Sequence, residues 1–234
     1  MSEKSAHPHE GHRKRLKEQF LTYGSFDGMS DFNVLEMLLF FAIPRKDTNV
    51  LAHNLIDHFG SLDRVFEASF DELVKVDGIS TNAATLIQMI LPLYKRYAVS
   101  ANASKRTFNT TEELAQYVSK FFVGETKEKV YLLCFDSRAR LNNCTLISEG
   151  DKDNVPIDRR KIVEVAIEQK SSMVVLAHNH PNGLCVPSAN DFNGTMDVAN
   201  VLQKLNVNLL DHIIISGEEY FAMSESENMR YIFK

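Results

Sequence analysis

The sequence predicts a two-part chain, an all-helical N-terminal domain followed by an α/β domain, and three observations carry that expectation. Residues 1–99 show helical periodicity only. After residue 110, apolar runs of strand length alternate with stretches of helix length, the grammar of an α/β domain. Between the two lies SANASKRTFN (100–109), small and polar with little periodicity, which reads as a linker. The domains are therefore expected at 1–106 and 107–234.

In the first half, SDFNVLEMLLFFAI (30–43) has Ser30 as its N-cap and is stopped by Pro44, so it reads as a buried helix. DTNVLAHNLIDHFG (47–60) follows with apolar residues at 50, 51, 55, 56 and 59, and Gly60 stands where a C-terminal cap is expected. SLDRVFEA (61–68) and SFDELVKV (69–76) each open with serine and read as short helices. DGIS (77–80) breaks the pattern, and 81–99 resumes it.

In the second half, TTEELAQYVSKFF (110–122) reads as a helix. KVYLLCFD (129–136) and LNNCTLIS (141–148) are β-like runs joined through SRAR. A helix over 157–170 precedes SMVVLAH (172–178), a continuous apolar run of the kind a central strand needs. A helix from Ser188 to about Leu205 follows, and HIIIS and YFAMS straddle SGEE as a terminal hairpin.

At 234 residues and 44% hydrophobic content, the chain can build a sizeable core. No run approaches the apolar length of a membrane span, the N-terminus lacks the apolar segment of a secretory signal, and the three cysteines never occur as CxxC. The expectation is a cytoplasmic protein without membrane or disulfide framework. Net charge is −5; residues 1–106 carry 13 Lys+Arg and 13 Asp+Glu, while 107–234 carry 13 and 18. Neither half has the basic excess of a protein that lives on phosphate backbones. HRKRLK (12–17) is expected to be a solvated helical turn, and His7, His9 and His12 a mobile polar tail rather than a metal cluster. No residue pattern specifies an oligomeric state.

The chemistry concentrates in LAHNHPNGLCVPSAND (176–191). Residues i and i+2 of a strand share a face, so His178 and His180 present two imidazoles side by side where the central strand ends at Pro181. The chain then returns and starts a helix at Ser188, whose first turn carries Asp191. Taken alone, Ser188 and Asp191 form a helix-capping arrangement, and either histidine alone is ordinarily a hydrogen-bonded structural residue. The full string H-x-H-P-x6-S-x-x-D offers two nitrogens and a carboxylate oxygen with a fourth position left for water, the pattern of a catalytic zinc. Other grammars fail: the sequence has no H-E-x-x-H, no deaminase P-C-x-x-C, no G-x-S-x-G and no Walker string. Cys185 has no base assigned to it and reads as a loop residue.

This string resembles the JAMM (MPN+) metalloprotease motif, E…H-x-H-P-x6-S-x-x-D. With HEGHRKRL (9–16), MLLFFAIPRKDTNVLAHNLIDHFGSL (37–62), LVKVDGIS (73–80), LLCFDSRARL (132–141) and LLDHIII (209–215), the chain is similar to the RadC family of bacterial proteins. The resemblance implies a mixed-sheet JAMM/MPN-like (cytidine-deaminase-like) C-terminal domain and a hydrolase of peptide or isopeptide bonds acting on a peptide or protein substrate. It implies Zn2+ on His178, His180 and Asp191, with Glu128 as general base and the Ser188 hydroxyl stabilising the tetrahedral oxyanion, a contribution of about 3 kcal/mol for one such donor. Where relatives commonly read P-R-E-I, this chain has RRKI (159–162), with Lys161 at the glutamate's place.

In the helical half, ELVKVDGISTNAATLI (72–87) resembles a helix–hairpin–helix, whose turn offers backbone amides to a DNA phosphate. Gly78 and Ser80 are then the candidate DNA contacts. Ser80 replaces the second glycine, TNAA carries no positive charge, and Asp77 would repel phosphate. The alternative is a packing turn. The competing function is therefore a DNA-associated repair or recombination protein with a structural or vestigial zinc site.

Overall fold

The structure, a computed structural model, describes residues 8–44, 46–101, 107–150, 157–181 and 183–233. The chain divides into two units, Met1–Tyr94 and Lys95–Lys234.

Caps set the helices of the first unit. After α1 (Pro8–Tyr23), Ser30 accepts from the Asn33 amide to start α2 (Asp31–Ala42). Helix α3 (Asn49–Phe59) ends at Gly60, which takes the left-handed conformation at φ 95°. Helix α4 (Leu62–Glu67) is followed by α5 (Phe70–Leu73), a single turn opened by a reciprocal capping box between Ser69 and Glu72. Helix α6 (Thr81–Ala101) runs past Pro92 and into the segment expected to be linker, of which 102–106 lie outside the described residues. Leu35, Leu39, Leu55, Leu73 and Ile87 are fully buried in one core. Each such side chain contributes about 1.5–3 kcal/mol relative to exposure.

The basic HRKRLK stretch is in part structural rather than solvated. Arg13 lies over the Phe40 ring at 4.7 Å and donates to the carbonyls of Ile43, Pro44 and Lys46, so it caps the end of α2. His12, expected in a polar tail, sits in α1 with Nε2 3.1 Å from the buried Glu36 carboxylate. His7 and the His9 side chain lie outside the described residues.

The second unit is built on a five-stranded mixed sheet in the order β2-β1-β3-β4-β5. Strand β1 (Lys129–Phe135) pairs antiparallel with β2 (Leu141–Glu149) and with β3 (Met173–Asn179). Strand β4 (Asn208–Ser216) runs parallel to β3, and β5 (Glu219–Ala222) closes the sheet as an antiparallel hairpin. The apolar run of β3 is central, as expected, and is buried from Val174 to Asn179. One face packs α8 (Arg159–Glu168) and α9 (Ala189–Gln203) through Ile162, Val198 and Leu202 against Val130, Leu132 and Leu176. The other face packs α7 (Thr111–Phe122), capped by Thr110, against Leu133, Val175 and Ile213. Two 3-10 turns, Met223–Glu225 and Arg230–Phe233, follow β5. Among the described residues no helix is long and apolar enough to cross a membrane.

Candidate metal centre

One strand end and one helix start meet on the α8/α9 face of the sheet. His178 and His180 leave the carboxyl end of β3, and Asp191 stands in the first turn of α9. His178 Nε2 lies 2.8 Å from His180 Nε2 and 3.3 Å from Asp191 Oδ1; His180 Nε2 lies 3.6 Å from Asp191 Oδ2. Among the described residues this trio is the His/Cys/Asp/Glu group able to hold a metal ion, its ligand atoms all within 4.8 Å of one another. A tetrahedral zinc with bonds of about 2.0–2.2 Å separates its ligand atoms by roughly 3.3–3.6 Å, so the histidine pair opens from 2.8 Å to take one, with a carboxylate oxygen within 4.8 Å of both nitrogens.

Proton bookkeeping supports the same fit. The Leu184 carbonyl can only accept, so His180 Nδ1, 2.9 Å away, carries a proton. On the other side, Thr195 Oγ1 donates to the Asp191 backbone carbonyl at 2.5 Å and must therefore accept from His212 Nδ1 at 2.6 Å. His212 Nε2 is then an acceptor for His178 Nδ1 at 2.8 Å. In the neutral imidazoles both Nε2 lone pairs consequently converge on one point beside a carboxylate. Such a geometry accommodates a proton or a metal ion between them.

The electrostatics agree. Burial pushes the His178 imidazolium down to about 4, against the opposing pull of Asp191, and burial likewise holds His212 well below its ordinary value. His180 shifts upward, chiefly through its hydrogen bond to Asp191. Burial alone would raise Asp191, but His180, His178 and the Ser188 contacts hold its carboxyl well below the usual range. A neutral buried imidazole, a chargeable partner and a fixed carboxylate are thus ready to ligate.

Ser188 and Asp191 also form the capping arrangement that the sequence left as their alternative role. The Ser188 amide and hydroxyl donate to Asp191 Oδ2 at 2.7 and 2.6 Å, and the Asp191 amide donates back to Ser188 Oγ at 3.2 Å. The carboxylate divides its work, Oδ2 holding the cap while Oδ1 faces His178. Capping and ligation are compatible here.

Glu128 directly precedes β1 and is buried. Val130 pairs with His178 at the end of the β1–β3 ladder, and Glu128, two residues before Val130, is among the charges that raise the His180 pKa. Asn179 points to the other face. Its Oδ1 accepts from the Lys129 amide at 2.8 Å and its Nδ2 donates to the Lys127 carbonyl at 3.1 Å, so it grips the backbone on both sides of Glu128.

Lys161 donates to the Ile147 carbonyl at 2.8 Å, at the residue that the β1–β2 register skips as a bulge. The half-buried Cys185 lies in the loop and donates to the Ile214 carbonyl. Sequence reasoning singled out neither Asn179 nor His212 nor Thr195. A buried histidine inside the apolar run LLDHIII was the signal available for His212.

In the helical unit, Gly78 has φ +85° and a Cβ there would lie 2.6 Å from Leu51 Cδ2, so the turn demands glycine. Ser80 Oγ accepts from the Ala83 amide and caps α6. The two candidate DNA contacts thus lie in one tight turn of the helical unit, away from the His/Asp trio in sequence.

Residues 108–229 match the RadC-like JAB domain family, a class related to metallohydrolases in fold. The chain is also 34% identical over 232 residues to a UPF0758 protein of Fusobacterium nucleatum, covering 96% of this chain and 98% of the relative. The chain belongs to the RadC family.

Proposed function

We propose that the protein is a zinc-dependent hydrolase of peptide or isopeptide bonds, with His178, His180 and Asp191 as the metal ligands. The observation that carries this is the convergence of His178, His180 and Asp191 at the mouth of β3, and Glu128, two residues before Val130, supports it as the base. Zinc at such a site supplies the Lewis acidity that makes water nucleophilic near neutral pH.

The chain's own residues do the rest. Glu128 takes the proton from the attacking water and returns it to the leaving amine. The Ser188 hydroxyl, which at rest donates to Asp191 Oδ2, turns to the oxyanion as charge develops on the substrate carbonyl. His178 and His180 stay neutral as ligands, because burial and the Leu184 carbonyl leave their Nε2 lone pairs free for the site. Hydrolysis of peptide and isopeptide libraries by zinc-loaded protein, against Glu128→Gln, tests the reading.

A DNA-associated role is the second reading, favoured by the glycine-dependent turn at Gly78. Against it stand the charge balance of the helical half and the use of Ser80 as a helix cap. Saturable mobility shift of duplex DNA at moderate salt, lost in a Gly78 variant, would favour it.

A further inference from the structure

We infer that His212 is a positioning residue of the metal centre, joining His178 to Asp191 through Thr195 so that two ligands are set by one hydrogen-bonded circuit. This inference rests on the zinc reading above. The directions follow from the far end, where the Thr195 hydroxyl has the Asp191 carbonyl at 2.5 Å as its nearer acceptor and Met223 Sδ at 3.7 Å as the other. The Asp191 carbonyl accepts only, which points the Thr195 hydroxyl at it; Thr195 then accepts from His212 Nδ1, and His212 Nε2 accepts from His178 Nδ1. His178 Nε2 is left with its lone pair aimed at Asp191 Oδ1 and His180. One end of the circuit therefore fixes the tautomer and ring angle of a ligand, and the other end holds the α9 turn that carries another.

Three features make this more than a packing contact. Both His212 and Thr195 are fully buried, so no water can substitute for either bond. The His212 backbone amide is held by the Asp211 carboxylate at 2.7 Å, which is itself anchored by Ser224 at 2.7 and 2.9 Å. Ligand histidines commonly lean on a carboxylate or carbonyl; here a neutral imidazole and a hydroxyl serve, and they bridge two ligands instead of supporting one.

The test is zinc affinity, measured by chelator competition on the full chain, for wild type, His178→Ala, His212→Leu, His212→Gln and Thr195→Val. Circular dichroism and thermal unfolding of the metal-free proteins report folding separately. We expect His212→Leu to lose about 10–100-fold in affinity, as supporting partners of ligands typically do. His212→Gln, which keeps an acceptor for His178 Nδ1, should recover most of that loss, a rescue that a merely structural role would not give. Thr195→Val is nearly isosteric and carries the test if His212→Leu does not fold; it should weaken zinc in the same direction. Unchanged affinity in folded His212→Leu or Thr195→Val, with zinc lost in His178→Ala, would overturn the circuit and leave the zinc reading standing. Absence of zinc binding in wild type would overturn both.

Discussion

Asn179 grips the two peptide groups that flank Glu128, accepting from Lys129 and donating to Lys127, although its neighbours in sequence are His178 and His180. The residue between the two proposed ligands on one face thus sets the backbone of the proposed base from the other. Strand alternation makes this possible, because i+1 always faces away from i and i+2.

Asn179→Ala should therefore separate metal binding from turnover. Zinc content should hold, while kcat falls by something on the order of 10²-fold, the cost of misplacing a reacting group by about 1 Å. Leaving a buried amide and carbonyl unpaired should also lower stability by about 1–3 kcal/mol. Wild-type kcat in a folded Asn179→Ala protein would remove the clamp from the mechanism.

Glu128→Gln preserves shape and removes the base. Zinc stoichiometry should match wild type, and turnover should fall by about 10²–10⁴-fold, the usual contribution of a positioned proton-transfer group. Steady-state kinetics with paired metal analysis checks both halves. Comparable turnover in this variant would assign the base elsewhere.

The pH dependence of zinc uptake should come from His180. Its pKa is raised, mainly by the Asp191 hydrogen bond, so below that raised value His180 carries a second proton that must leave when zinc enters. Affinity should thus rise with pH until His180 has deprotonated, with about one proton released per zinc at pH ~6. His178, at about 4, adds no dependence above that range. The linked stability runs the other way: the charged pair's contribution to the metal-free fold is full below the ordinary histidine pKa and is lost as pH rises through the raised value. Calorimetric titration in buffers of differing ionisation heat counts the proton, and a count of zero at pH ~6 would contradict the pairing.

Gly78→Ala should destabilise the helical unit by about 1–3 kcal/mol, from a left-handed φ and a forced shift of Leu51. Thermal unfolding reads the loss. A neutral result would mean the turn relaxes without glycine.

Much of the fold was legible because its elements punctuate themselves. Ser30, Gly60 and Ser188 sit at helix ends with the expected caps or conformation, and the apolar run at 172–178 became the central strand. The strand order was not legible, since placing β1 between β2 and β3 depends on pairings far apart in sequence. The grouping of His178, His180 and Asp191 could be read because strand alternation and a helix start place it locally. His212 could not, because its contact to His178 spans 34 residues and exists only once β4 lies beside β3. Charge predicts exposure on average, whereas Arg13 donates to the carbonyls at the end of α2.

The most direct test of the metal centre is elemental mass spectrometry of untagged protein purified without chelator, wild type beside Asp191→Ala. We expect about one zinc per wild-type chain and little in the variant, since a tetrahedral site that loses one of three protein ligands holds its ion poorly. A metal-free wild type even after incubation with zinc, or full retention of zinc in Asp191→Ala, would contradict the assignment and leave Asp191 as a helix cap alone.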